Sequence, residues 1–320
     1  MELHFGLITA HARADWQARR LARALGALGT VETLDPSRLR LICGRAAPER
    51  DVLMLLADNR DARRFDAVVL GRIAGPHADI DVELDAARAF DLLGIPCVNR
   101  AGPMLAAQDK LWTSAVLAQA GIPTPLCSSV PRSLDALVAA AEIGSCVAKP
   151  VFGSLGDGQF RCDDRQGRIR LSREVRRGAF LVQRFVPPGG LDYRLFVVGD
   201  KVEACVRRES AQGVWQTNAA RGARVLAAVP HRSWSTTAIA AAHALGLSVA
   251  GVDLAISNGI ATVLEVNGFP NFRAIHQATG RDMAPLIASH VAQLLRGRRR
   301  SRNGRLSANG GGARLGRTGG

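Results

Sequence analysis

The stretch VDLAISNGIATVLEVN, residues 252–267, constrains the fold more than any other part of the chain. Two apolar, β-branched runs flank Ser257-Asn258-Gly259, the composition of a β-hairpin. Asp253 stands on the first run, Glu265 and Asn267 on the second. Strand side chains alternate between faces, so Glu265 and Asn267 share one. Their neighbours Val252, Leu254, Leu264 and Val266 are apolar. A carboxylate in such company is costly unless it is paired or metal-bound. Asp253, Glu265 and Asn267 are hard oxygen donors of the kind that hold Mg²⁺. The competing arrangement pairs the two carboxylates with arginines, of which the chain has 39. Parity separates two registers. A two-residue Asn258-Gly259 loop pairs Ser257 with Ile260, sets Asp253 opposite Leu264 and turns Glu265 to the other face. A three-residue loop 257–259, with Gly259 left-handed, puts Asp253 and Glu265 on one face. A shared metal site therefore predicts the three-residue loop, and a tight turn without another bulge counts against it.

A second segment, AKPVFGSLGDGQF, places Lys149 at the end of an apolar strand, followed by Gly153, Gly156 and Gly158. Glycines let backbone N–H groups approach phosphate oxygens closely. Gln159-Phe160 stands where a P-loop needs Lys-Ser/Thr, and a flexible hairpin is the competing reading. Between the two segments, DYRLFVV puts Asp192 and Arg194 on one strand face. CVRRES offers Arg207 or Arg208, and QTNAARG offers Asn218 and Arg221. Guanidinium groups suit phosphates and carboxylates, although any one of these arginines reads equally well as a surface residue. Only three cations are lysines, Lys110, Lys149 and Lys201, and arginine does not replace a compact ammonium at every kind of site.

Residues 1–98 alternate short apolar runs (LHFGLI, FDAVVLGRI, IPCVNR) with helical patterns (DWQARRLARALGAL, DVELDAARAFDLLG). This predicts an α/β layer domain whose loops at 9–13 and 72–77, with His11 and His77, border a cleft. Beyond it, helices are expected at 104–121, 133–142, 236–246 and 282–295, the last with Asp282 as N-cap and Pro285 in its first turn. Strands are expected at CVAKPV, FRCDD, IRLS, AFLVQRFV, DYRLFVVGD, KVEACVRRES, LSVAGVDLAIS and ATVLEVN. The chain divides into an α/β domain (1–98), two mixed α+β lobes (99–182 and 183–296) and a tail (297–320).

The formal charge of +14 is uneven: eight arginines and no acid lie from Arg296 onward, leaving +6 on the rest. The Gly/Arg-rich tail has too little apolar content to offset ordering and is expected to be disordered. A basic arm of this kind can contact nucleic acid or the ribosome. The six cysteines form no CxxC pair, so zinc has no spacing to stand on and they read as free core thiols. The seven histidines show no paired metal spacing, and no Gly-x-Ser-x-Gly elbow appears. The N-terminus has no signal-peptide pattern and no stretch approaches about 20 apolar residues. A cytoplasmic protein without a membrane partner is the expectation, and the sequence leaves room for a homo-oligomer.

Taken in order, these residues resemble the ATP-grasp superfamily, and within it the RimK-like amino-acid ligases. The resemblance rests on Lys110 in QDKLWTSAVLAQAGIPTP, Lys149-Pro150 before the glycine turn, Gln183-Arg184-Phe185-Val186, Asp192-Tyr-Arg194, Arg207, Asn218, and Asp253…Glu265-Val-Asn267 before ATGRDMA. It spans residues 99–291, with 1–98 as a generic preceding Rossmann-like domain. It implies ATP held between two lobes. Lys110 and Lys149 would contact phosphates, with Gly153, Ser154, Gly156 and Gly158 closing over them. Gln183, Arg184, Phe185 and Val186 would meet the adenine edge and Asp192 the ribose. Asp253, Glu265 and Asn267 would hold two Mg²⁺ or Mn²⁺ ions. Arg207 and Asn218 would support the transferring phosphate, with Arg194 and Arg221 on the substrate side.

The chemistry implied is ATP-dependent joining of a carboxylate to an amine through an acyl phosphate. L-Glutamate is the expected donor and a small, tetrahydromethanopterin-like cofactor the expected acceptor. The alternatives are a ribosomal-protein C-terminus as acceptor, or a nucleotide-binding module without activity. Phe269 and Asn271 depart from the Ser-Pro-Gly of many relatives, and Gln216-Thr217 from Arg-Ser.

Overall fold

The computed structural model describes residues 2–10, 12–47, 50–73, 80–153, 156–217 and 222–309, with backbone alone at 46, 47, 50, 80–82 and 299–309. The first block comprises β1 (Leu3–Ile8), α1 (Trp16–Gly26), β2 (Gly29–Leu34), β3 (Leu39–Ala47), β4 (Arg50–Ala57), β5 (Arg60–Asp61), β6 (Ala67–Leu70), α2 (Ile80–Leu92) and β7 (Cys97–Val98). Its parallel sheet has the order β2-β1-β6-β7. The apolar runs at β1 and β6 are central strands, buried on both faces. Asp15 starts α1 by accepting from the Gln17 amide at 2.7 Å. Ala18, Leu21 and Leu25 then recur at helical spacing and pack with Ile287 and Val291. A separate antiparallel sheet, β3-β4-β5, was not among the expected elements. Only one side of β3 is covered, through Leu39 and Leu41, while Arg40 and Ile42 are exposed.

The second block runs α3 (Ala101–Gln108), α4 (Lys110–Gln119), β8 (Cys127–Ser129), α5 (Ser133–Ile143), β9 (Cys146–Pro150), β10 (Phe160–Arg161), α6 (Arg165–Glu174) and β11 (Phe180–Arg184). Its antiparallel sheet has the order β10-β9-β11-β8. The single helix expected over 104–121 is two helices, because Asp109 leaves helical geometry and caps α4 by accepting from the Trp112 amide at 2.8 Å. Lys110 thereby becomes the first residue of α4. The strand expected at IRLS is helix α6. Four residues of alternating polarity do not separate the two periods. Here Asp164 accepts from the Gly167 amide at 2.6 Å, and Gly167 and Leu171, one turn apart, are the buried pair.

The third block comprises β12 (Leu191–Val198), β13 (Lys201–Glu209), β14 (Arg224–Ala227), α7 (Arg232–Ala244), β15 (Val249–Ser257), β16 (Ile260–Asn267), α8 (Arg273–Thr279) and α9 (Met283–Asn309). The sheet order is β14-β13-β12-β15-β16. Asp282 accepts from the Ala284 amide at 3.1 Å at the start of α9. That helix does not stop near 295. The segment 297–309, expected to be disordered, continues it, and 310–320 lies outside the described residues. Extending an anchored helix costs far less than nucleating one, arginine is a good helix former, and Arg298 donates to the Gly94 carbonyl at 2.7 Å. Among the described residues no helix is long and apolar enough to cross a membrane.

One buried side chain ties the blocks together. Asn99 is 3% exposed. Its Nδ2 donates to the Val249 and Gly268 carbonyls, each at 2.6 Å, and its Oδ1 accepts from the Ser248 and Val249 amides at 2.8 and 2.9 Å. These bonds hold the start of β15 against the end of β16. Asn99→Leu leaves buried backbone groups unpaired, at about 1–3 kcal/mol each. We expect urea denaturation to give an unfolding free energy lower by about 3 kcal/mol or more.

Candidate active site

The acid-bearing hairpin turns tightly. Ser257 pairs with Ile260, and Asn258 and Gly259 take φ values of 50° and 77°. The expected three-residue loop is not formed. The strands instead shift register farther in: Leu254 pairs with Val263 and Asp253 with Glu265, so Leu264 is an extra, unpaired residue. A bulge of one residue reverses parity beyond it. Asp253 and Glu265 therefore stand directly opposite on one face, with Gly251 opposite Asn267. Gly251 also lets the following loop approach closely, since a Cβ there would lie 2.7 Å from Cβ of Pro270.

The neighbouring hairpin repeats the device. Val198 pairs with Lys201 across a tight turn, then Phe196 pairs with Ala204, leaving Glu203 unpaired. Without that bulge Asp192 would oppose Arg207. With it, Asp192 opposes Arg208. Arg207 consequently lies on the far face, its Nη2 2.6 Å from Glu209, and the arginine that lines the cleft is Arg208 rather than the expected Arg207.

Four charged side chains form a chain on this face, three of them buried and Arg194 half-buried. Arg208 donates a fork to Asp192, both bonds at 2.6 Å, and its Nη2 lies 2.9 Å from Asp253. Arg194 donates a second fork to Asp253 at 2.6 and 2.7 Å. The Thr217 hydroxyl donates to Asp192. Asp192, Arg208 and Asp253 are all buried. Burial opposes ionisation of Asp253, but Arg194 and Arg208 together hold its carboxyl below the usual range. Burial raises the Asp192 carboxyl above its usual range against the pull of Arg208. Burial alone would lower Arg208, and Asp253 and Asp192 raise it instead.

This face borders a cleft of about 710 Å³, closed on the other side by β9 and β11 and lined by Lys149, Gln183, Arg184, Phe185, Val186, Asp192, Arg208, Asp253 and Glu265. An adjoining pocket of about 260 Å³ brings Lys110 beside Lys149, Gln183 and Glu265. Lys149 Nζ donates to Gln183 Oε1 at 2.6 Å. Burial holds its ammonium below the usual lysine range, Glu265 pulls it back up, and Lys110 adds to the depression. Lys110 Nζ donates to the Gly153 carbonyl at 2.6 Å, tying α4 to the glycine turn. Gly158 takes φ +71° against the Pro150 ring.

Trp215, Gln216 and Thr217 also line the cleft, and the Gln216 amide reaches the Gly156 and Gln159 carbonyls at 3.5 and 3.4 Å. Of these, the sequence reading noted Gln216 and Thr217 only as departures from a family pattern and missed Trp215, which stands in a loop without periodicity. Ser154, Asn218 and Arg221, together with His11 and His77, lie outside the described residues. Arg194 contributes through Asp253 rather than by lining the cleft.

The oxygen donors fit a hard cation. A carboxylate offers about four lone-pair sites, of which the guanidinium contacts to Asp253 use three. Glu265 accepts no hydrogen bond from the described residues. Asn267 donates through Nδ2 to the Gly251 carbonyl at 3.4 Å, leaving its Oδ1 available. Among the described residues no three His, Cys, Asp or Glu side chains gather to hold a metal. A cation here would take the Asn267 amide oxygen and ligand oxygens as well.

The model of a RimK-like ATP-grasp domain matches residues 107–291. The chain is 32% identical over 282 residues to a probable alpha-L-glutamate ligase of Sodalis glossinidius, covering 86% of this chain and 93% of that one. It is 28% identical over 312 residues to a tetrahydromethanopterin:alpha-L-glutamate ligase of Methanosarcina acetivorans, covering 88% and 96%. Among solved structures, the ATP-grasp ligase PsnB complexed with minimal precursor superposes with a TM-score of 0.70 at 18% identity, covering 92% and 99%. The fold is thus an ATP-grasp fold.

Proposed function

Because the chain belongs to the RimK-like ATP-grasp family, we propose that it is an ATP-dependent ligase that adds L-glutamate to a carboxylate on a small, tetrahydromethanopterin-like acceptor. The observation that carries this reading is the cleft with Lys110 and Lys149 on one side and the Asp253–Glu265 pair on the other. The names of the two relatives support the donor and the acceptor class.

In the proposed reaction the acceptor carboxylate attacks the γ-phosphorus of ATP, releasing ADP and forming an acyl phosphate. The glutamate amine then attacks the acyl carbon and expels phosphate. Phosphoryl transfer requires charge neutralisation and alignment more than an acid–base triad. Lys110 and Lys149 supply positive charge at the phosphates. Gln183, Arg184, Phe185 and Val186 form the wall for the base. Arg208 stands beside Asp192 and Asp253, where it faces the transferring phosphate, and Asn218 is assigned to the same role by resemblance. Asp253, Glu265 and Asn267 would hold two Mg²⁺ or Mn²⁺ ions, whose charge would offset that building on the phosphate oxygens.

The test is a screen of carboxylate and amino-acid pairs for ADP release, with mass spectrometry of the products. Glutamate with a pterin-type acceptor is expected to give an amide heavier by one glutamyl residue. ATP binding without ADP release from any pair would overturn the ligase reading. Removing residues 297–320 is expected to leave turnover on the small acceptor unchanged. Unchanged turnover argues against a tail-dependent macromolecular acceptor, such as a ribosomal-protein C-terminus reached through the arginine-rich segment.

A further inference from the structure

Two thiols that the proposed reaction does not use face each other inside the second block. Cys146 opens β9 and Cys162 follows β10, and both are 0% exposed. Their Sγ atoms lie 3.2 Å apart. The strands pair Phe160 with Ala148 and Arg161 with Val147, so Cys162 falls opposite Cys146, and its amide donates to the Cys146 carbonyl at 3.1 Å. Directly opposed hydrogen-bonded residues have Cα atoms about 5.5 Å apart, inside the span that a disulfide bridges without moving backbone. The geometry points to Cys146 and Cys162 as a redox-active dithiol that closes to a disulfide at the base of the hairpin carrying Lys149 and the glycine turn.

The two sulfurs are not equivalent. The hydrogen bond between the two sulfurs lowers the Cys146 thiol, against the opposing effects of burial and Asp163, and Arg168 and Arg161 assist. The same bond, with burial, raises Cys162. Either sulfur can attack, and the step is written for Cys146, the thiol held lower. It attacks one sulfur of a low-molecular-weight disulfide, breaking that S–S bond and expelling one small thiolate. Cys162 then loses its proton and attacks the Cys146 sulfur, expelling the second. Two protein thiols and one small disulfide become one protein disulfide and two small thiols. A small disulfide reaches the buried pair only if β10, a two-residue strand at the sheet edge, opens locally.

The experiment incubates the full chain with oxidised glutathione, quenches with acid, alkylates and maps peptides before and after reduction. Exposed Cys43 is the internal control and is expected to carry glutathione. Cys146 and Cys162 are expected in a single cross-linked peptide lacking two hydrogens and carrying no glutathione. Cys162→Ala removes the resolving thiol, so Cys146 should then retain glutathione. The oxidised chain should melt about 5 °C above the reduced one, a shift that Cys162→Ala abolishes. Free Cys146 and Cys162 thiols after Cys43 is fully modified would overturn the proposal. So would pairing of either with another cysteine, a bond that forms only in denaturant, or an oxidised chain that melts no higher. None of these readouts depends on ligase turnover.

Discussion

Asp253→Ala is expected to abolish ATP-dependent phosphate release and to lower the unfolding free energy by about 3–5 kcal/mol. The two losses have different origins. Activity is lost with an oxygen donor on the cleft face. Stability is lost because the substitution removes the carboxylate that both Arg194 and Arg208 address, and an uncompensated buried guanidinium costs far more than a surface pair contributes. Asp253→Asn keeps the shape and one acceptor but no charge, and should lose as much activity and less stability. Phosphate release at saturating Mg²⁺ and urea denaturation read the two effects separately. Full activity in Asp253→Ala would sink the metal assignment.

The sign of the pH dependence follows from the same group. The folded Asp253 carboxyl is held low, so its contribution to stability is complete above its ordinary pKa of about 3.9 and is lost as pH falls through the lower folded value. Asp192, whose folded carboxyl is raised, takes up a proton first on acidification and works in the opposite direction.

Lys149→Arg is expected to cut kcat/KM for ADP release about 100-fold, although charge is conserved. Lys149 Nζ sits 2.6 Å from Gln183 Oε1 in a cleft it shares with Glu265 and Asp192. A planar guanidinium is longer and wider than an ammonium, and it must displace Gln183 or enter the space proposed for the phosphates. Lys201→Arg, at an exposed position beginning β13, is the control and should leave turnover unchanged. Turnover in Lys149→Arg within about threefold of the parent would show that no compact cation is needed there.

Much of this arrangement was legible in the residues. The apolar runs at β1, β9, β12, β15 and β16 have lengths and flanking turns that leave few alternatives, and α1 and α7 carry helical periodicity. Lys149, Asp253 and Glu265 stood out as charges beside apolar residues, where an unpaired charge is costly, and Lys110 as one of only three lysines. The elements that escaped, β2, β3, β4, β5, β8, β14 and α8, are short or covered on one side only. Their stability comes from neighbours rather than from their own pattern. The break at Asp109 is local, but nothing in MLAAQDKLWTSAVLAQAG separates a capping aspartate from a surface one until the Trp112 amide is seen to donate to it.

What the residues determined by themselves are the strands β1, β9, β12, β15 and β16 and the charged residues that stand on them. What only the tertiary structure decided is which charges face the cleft. Strand side chains alternate with period two, so one extra residue reverses every position beyond it. Glu203 and Leu264 are those extra residues. Their traces are visible afterwards: Val202 and Cys205, and likewise Val263 and Val266, are three apart yet reach the same core. A period-two pattern forbids that without a bulge. Leu264, being apolar itself, hides the break in the sequence. The bulge at Glu203 brings Arg208 rather than Arg207 to Asp192, and the bulge at Leu264 sets Glu265 beside Asp253.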